Sequence, residues 1–198
     1  MTDESPDLGA GIAAVQQLLT AALQGSRSRL NETVELTQQS ATAIRCLRAA
    51  DLQAHTDSLT GLANRRALCR RVAQAGGSAR RLGAIVVDLD GLKRVNDTHG
   101  HDAGDELIRA AAQALTSAVR CADLVARTGG DEFVILAPVP GRAELRGLAV
   151  RVRRSLRAAG VRASVGIACG PPEQWDDTRR YADRHMLAHK RVCGDPRQ

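Results

Sequence analysis

The run from Leu82 to Leu89 is almost wholly apolar and rich in β-branched residues. It predicts a buried strand that ends in the carboxylates of Asp88 and Asp90. Two shorter runs, near 122–127 and 132–137, flank Thr128-Gly129-Gly130-Asp131. Glycine tolerates positive φ, so this stretch predicts a hairpin with acids at its tip, closed off by Pro138 to Gly141. Val161 to Ala168 predicts a fourth strand. Helical patterns fill the intervals, at about 64–75, 104–119, 143–158 and 177–192, and Gly76-Gly77-Ser78 predicts a loop. The resulting order is β-α-β-β-α-β with one extra C-terminal helix. It predicts an α+β fold, a split-βαβ, ferredoxin-like, antiparallel-rich sheet with helices packed on one face. The turn after the first strand and the hairpin fall at one end of that sheet. Asp88 is therefore expected near Asp131 and Glu132.

Ahead of this lies a helical pattern from Ile12 to Gln53, weakest at Gly25-Ser26, where one helix or two are both possible. Leu23, Leu30, Thr37 and Ile44 recur every seven residues, with Val34 and Ala41 between them. That partial heptad predicts a parallel helical pair between two subunits. Polar Thr37, then Arg48 and Asp51, interrupt it. The other reading is an amphipathic helix packed on its own domain. The character changes at His55-Thr56-Asp57-Ser58, where Asp57 or Ser58 can cap the next helix and Gly61 breaks the preceding one. Two domains are expected, a helical dimerisation segment over 1–54 and a sheet domain over 55–198. Residues 1–9 read as a disordered acidic start.

Composition narrows the partners. Aromatics are 2% of the 198 residues, namely Phe133, Trp175 and Tyr181. The core must be aliphatic, and a base-stacking surface for nucleic acid is not expected. A net charge of +6 suits anionic partners, although the basic residues are scattered as on an ordinary solvated surface. Five cysteines without a C-x-x-C pair read as reduced thiols in a cytoplasmic protein. His185 and His189 lie four apart, but no Glu follows His185, and zinc is not expected there. The start is acidic and no run of about 18 apolar residues occurs, so neither a signal peptide nor a membrane span is expected.

The acids carry the chemistry. Paired carboxylates at a hairpin tip, with more at the end of a nearby strand, can hold hard divalent cations that bridge to phosphates. At this point the motifs resemble the GGDEF family, the diguanylate cyclases of bacteria. Asp57-Ser58-Leu59-Thr60-Gly61-Leu62-Ala63-Asn64-Arg65-Arg66 resembles that family's entry motif. Asp88-Leu89-Asp90-Gly91-Leu92-Lys93-Arg94-Val95-Asn96-Asp97 resembles DxDxFKxxND, and Gly100-His101-Asp102-Ala103-Gly104-Asp105 resembles GHxxGD. Gly129-Gly130-Asp131-Glu132-Phe133 is the signature itself, and Ser164-Val165-Gly166-Ile167-Ala168 is similar to the last core strand.

The resemblance implies a nucleotidyl-cyclase-like fold and an enzyme that condenses two GTP into cyclic di-GMP with release of pyrophosphate. It implies two Mg²⁺ (or Mn²⁺) per active site, held by Asp88, Asp131, Glu132 and the Leu89 carbonyl. Asp131 would sit near the attacking hydroxyl, and Lys93 would neutralise phosphate. Asn96 and Asp105 would read guanine, Gly129 and Gly130 would leave room for the nucleotide, and Lys190 would meet phosphate. Leu92 stands where the family has Phe and contributes backbone and packing. Arg120 and Asp123 fit the R-x-x-D of the family's product-inhibition site, with Arg151 as a further arginine. Each subunit would hold one GTP, so the active species would be a homodimer. The C-terminus departs from the pattern. His185 replaces a small Ala, Leu187 replaces Tyr, and Asp195 stands after Gly194 where Arg is expected. That departure favours a second reading, a catalytically silent receptor for cyclic di-GMP or GTP, and a third reading is a helix-mediated adaptor whose domain is only a scaffold.

Overall fold

The computed structural model describes residues 8–75 and 81–193, with side chains over 15–75, 81–188 and at 190. The acidic residues 1–7, the Gly76-Gly77-Ser78 loop, Gly194 and Asp195, and the side chains of His189 and Arg191 lie outside the described residues. The chain divides into two units, residues 1–51 and 52–198. The first is helix α1, Leu8–His55, whose last turn belongs to the second unit. It runs unbroken through Gly25-Ser26, so one helix forms and not two. Its large apolar side chains from Val15 to Leu52, Leu23, Leu30 and Ile44 among them, are exposed in the single chain.

The second unit is a five-stranded sheet with helices. Its elements are β1 (Ala63–Asn64), α2 (Arg65–Ala75), β2 (Leu82–Leu89), α3 (Leu92–His99) and α4 (His101–Ala118), then β3 (Leu124–Arg127), β4 (Glu132–Pro138), α5 (Arg142–Ala158), β5 (Ala163–Gly170) and α6 (Trp175–Cys193). The sheet order is β1-β3-β4-β2-β5. β2 lies inside the sheet, antiparallel to both β4 and β5, while β1 adds a short parallel edge on β3. The expected split-βαβ α+β fold is what forms.

The helices, however, cover both faces of the sheet and not one. Ile85, Val87 and Leu89 of β2 share a core with Phe133, Ile135 and the inner faces of α4 and α5. Leu82, Ala84 and Val86 face the other way, into a second core with Leu68 of α2 and Trp175, Ala182 and Met186 of α6. The physical reason is already in β2. A strand apolar at odd and even positions alike has two faces to bury. Trp175 opens α6 and is 7% exposed. Gly166 brings α6 close, because a Cβ there would stand 2.0 Å from the Ala182 carbonyl oxygen.

β1 and α3 were not expected. β1 is two residues long and has no periodicity to read. α3 buries no residue and is bracketed by Gly91 and Gly100, whose φ values of 78° and 85° need glycine. The cap of α2 is Asn64, not Asp57 or Ser58. Its Oδ1 accepts from the Ala67 N–H at 3.1 Å, and its amide donates to the Ala54 carbonyl at 2.9 Å. Among the described residues no helix is long and apolar enough to cross a membrane.

Candidate active site

The strand register assembles the acids. Asp88 lies opposite Glu132 across the β2–β4 ladder, and the Leu89 N–H donates to the Asp131 carbonyl at 3.1 Å. Asp88 shares the parity of Val86, which places it on the α6 face. There it meets Lys190, whose Nζ lies 2.5 Å from Asp88 Oδ1. That hydrogen bond is the main reason the Lys190 pKa is raised. Burial opposes it, and the charges of Asp88, Asp90 and Asp131 add to it. Asp90 is fixed separately, accepting from the buried Ser164 hydroxyl at 2.9 Å.

The hairpin tip is clamped. Arg127 donates from Nε and Nη2 to the Gly130 carbonyl at 3.2 and 2.8 Å. Its Nη1 donates to both oxygens of Asp57 at 3.0 and 3.2 Å. Asp57 also accepts from the N–H and hydroxyl of Thr60. Burial alone would push the Asp57 carboxyl up. The bonds from Thr60 and Arg127 outweigh burial and hold it below its ordinary range. Gly129 closes against the acid beyond it, since a Cβ there would lie 3.0 Å from Glu132 Oε2. Sequence reading missed this clamp. Asp57 reads locally as a cap and Arg127 as the end of a strand, and nothing local joins residues seventy apart.

The elbow between α3 and α4 forms the second part of the site. Asn96 Oδ1 is buried and has no hydrogen-bond partner among the described residues. A Cβ at Gly104 would fall 1.8 Å from that oxygen and 3.3 Å from Leu92 Cδ1. Gly104 is therefore the space in which the Asn96 amide sits, against Leu92. Asp105 follows at once, half exposed, 3.7 Å from Arg109. Lys93 is exposed on the first turn of α3.

Arg120, Asp123 and Arg151 also come together, at the C-terminal end of α4. Asp123 accepts from the Arg120 backbone N–H at 2.9 Å, and Arg151 donates to the Ala118 carbonyl at 3.3 Å. Asp123 thus closes a turn, and among the described residues it forms no ion pair with the exposed Arg120 guanidinium.

The donor set suits a hard cation, with carboxylates and a carbonyl at one strand end. The position draws positive charge, as the Lys190 ammonium on Asp88 demonstrates. Among the described residues no three His, Cys, Asp or Glu side chains are yet gathered closely enough to hold a metal by themselves.

A family model described as "Diguanylate cyclase, GGDEF domain" matches residues 54–194. The chain belongs to the GGDEF family. This GGDEF chain is 38% identical over 141 residues to diguanylate cyclase DgcP of Pseudomonas aeruginosa, covering 69% of this chain and 21% of that one. It is 37% identical over 149 residues to cyclic di-GMP phosphodiesterase PdeR of Escherichia coli, covering 69% of this chain and 22% of that one. It thus spans less than a quarter of the length of these relatives. Among solved structures it resembles the coiled coil and GGDEF domain of DgcB from Caulobacter crescentus, in complex with c-di-GMP. The TM-score is 0.75 at 26% identity, over 84% of this chain and 95% of that one. It also resembles diguanylate cyclase SiaD of Pseudomonas aeruginosa in complex with its activator SiaC. There the TM-score is 0.67 at 31% identity, over 94% of this chain and 78% of that one.

Proposed function

We propose that this GGDEF chain is a metal-dependent diguanylate cyclase, active as a homodimer and inhibited by its product. The observation that carries the reading is Asn96 Oδ1. A buried acceptor with no donor costs about 1–3 kcal/mol, and here Gly104 makes room for it. Guanine offers the donors it lacks, in N1–H and N2–H₂, and Asp105 is the second acceptor in the same elbow. Hypoxanthine or adenine would leave one or both unmatched.

Asp88, the Leu89 carbonyl, Asp131 and Glu132 would hold two Mg²⁺ or Mn²⁺ ions, which supply Lewis-acid polarisation of the α-phosphate and leaving pyrophosphate. Asp131 lies at the tip, where it can take a hydrogen bond from the attacking 3′-hydroxyl. Lys93 can neutralise the triphosphate, and Lys190 can do so once it leaves Asp88. Arg127 holds the tip still by fixing the Gly130 carbonyl. In each half-reaction a 3′-O–Pα bond forms, the bond from Pα to pyrophosphate breaks, and the hydroxyl proton is released. Two copies must face each other, each with one GTP, and the exposed apolar stripe of α1 suits that pairing. Arg120, Asp123 and Arg151 would take the cyclic product, with guanidinium forks to phosphate and guanine.

The Lys190–Asp88 pair also favours a second reading. A lysine seated on a metal ligand suits a silent receptor for cyclic di-GMP or GTP. One experiment separates the two. The purified chain is incubated with GTP and Mg²⁺ and the nucleotides are resolved. Cyclic di-GMP with pyrophosphate supports the cyclase, and Glu132→Gln should then lose at least about a hundredfold in rate. Binding of cyclic di-GMP without turnover supports the receptor. Neither turnover nor binding overturns both.

A further inference from the structure

At the far end of β5 from the acids lies a cavity of about 320 Å³. Gly170 pairs with Leu82 there, whereas Asp88 pairs with Ser164. Six residues of strand, roughly 20 Å, separate the two ends. Arg81, just before β2, and Arg142, which opens α5, line this cavity. Thr178, Tyr181 and His185 line it from one stripe of α6.

Three observations mark it as built to take an anion. First, neither guanidinium has an ion pair or hydrogen bond among the described residues. The carboxylate in the lining, Asp177, is taken by Arg180 at 3.4 Å. Second, Thr178 is 5% exposed, yet its hydroxyl has no hydrogen-bond partner among the described residues. A Cβ at Gly170 would lie 2.2 Å from that oxygen, so the missing side chain is what lets the hydroxyl sit there. Third, the His185 imidazole adds a ring that can donate a hydrogen bond to the same wall.

We propose that this cavity is a second binding site that takes a small phosphate monoester or free phosphate. A phosphate dianion balances two guanidinium charges. Its terminal oxygens can be divided among Arg81, Arg142 and the Thr178 hydroxyl. The Tyr181 ring, with the Arg184 guanidinium 4.3 Å from its centroid, offers a flat wall to whatever the phosphate is attached to. A carboxylate would satisfy the arginines but leave fewer acceptors for Thr178. The site does not depend on cyclase activity.

The test uses the isotope-labelled 198-residue chain at constant ionic strength. Inorganic phosphate and glycerol phosphate are titrated separately, with chloride as control, and amide resonances are followed. Saturable millimolar shifts at Gly170, Thr178 and His185 are expected with at least one probe and not with chloride. The tighter probe identifies whether the ligand is an ester. Arg81→Ala and Arg142→Ala should each weaken binding about tenfold, and Thr178→Val about three- to tenfold. Both arginines are exposed, so these variants keep the fold, which their spectra verify. Phosphate that binds at the acid end would instead move Asp88 and Lys93, and would do so equally in the arginine variants. The proposal is overturned if no saturable shift appears at the cavity, or if the double arginine variant keeps native dispersion and unchanged affinity.

Discussion

Arg127→Ala should destabilise the sheet unit strongly while removing no core side chain. The guanidinium serves four acceptor contacts, two on the Gly130 carbonyl and two on the Asp57 carboxylate. The two side chains are 13% and 22% exposed. Removing one partner of a fully buried pair costs about 3–5 kcal/mol, and residual solvent lowers this to about 2–4 kcal/mol here. Asp57→Asn keeps Oδ1 as an acceptor for Thr60 but loses the charge and the second acceptor for Arg127, so it should cost about 1–3 kcal/mol. The two residues touch, so a double-mutant cycle should show coupling of about 1 kcal/mol or more. The sign with pH is fixed by Asp57. Its folded carboxyl is held below its unfolded value, so the unfolded chain binds more protons in acid. This contribution is complete above the unfolded pKa and is lost as pH falls through the folded one. Equilibrium urea unfolding at several pH values reads all of this. Asp57→Asn should flatten the acid limb. An Arg127→Ala variant within about 0.5 kcal/mol of the parent, or a strictly additive cycle, would refute the clamp.

Three further outcomes are expected. Gly104→Ala places a methyl within 1.8 Å of Asn96 Oδ1 and must turn that amide away, so GTP affinity should fall about tenfold or more, with the unfolding midpoint moved much less; equal affinity by calorimetry would remove Asn96 from guanine recognition. A chain lacking residues 1–52 should dimerise more weakly, and its specific activity should depend steeply on concentration; equal dimer constants by analytical ultracentrifugation would acquit the helix. Arg120→Ala should weaken inhibition by added cyclic di-GMP roughly ten- to a hundredfold and leave the initial rate near the parent value; superimposable inhibition curves would reduce Arg120 and Asp123 to a surface turn.

What could be read ahead followed the range of each signal. β2, β4, α5 and α6 carry runs or periods longer than a turn, and each formed close to its expected span. Asp88 could be placed near Asp131 because strand order alone decides which ends meet. The second helical face was overlooked although β2 contained it, since an unbroken apolar run says that both faces are buried and does not say by what. α3 escaped because a helix with no buried residue leaves no apolar stripe. Asn64 was passed over as a cap in favour of the acidic Asp57, whose side chain is committed to Thr60 and Arg127 instead. The buried oxygen of Asn96 and the hydroxyl of Thr178 are visible only in three dimensions, each revealed by a glycine elsewhere in the chain that yields it space.

The chain has a single tryptophan, and it is buried at the first turn of α6. α1, by contrast, is 48 residues long and contains no aromatic residue. Indole emission therefore watches the sheet unit alone, whereas far-ultraviolet ellipticity sums the long helix and the helices of the sheet unit. Without any label, emission reports one unit and ellipticity reports both. On heating or dilution, emission and ellipticity curves that superimpose would mean that helix and sheet melt as one cooperative body. Curves that part would give the stability of each half separately, and dilution would show which of them depends on a second chain.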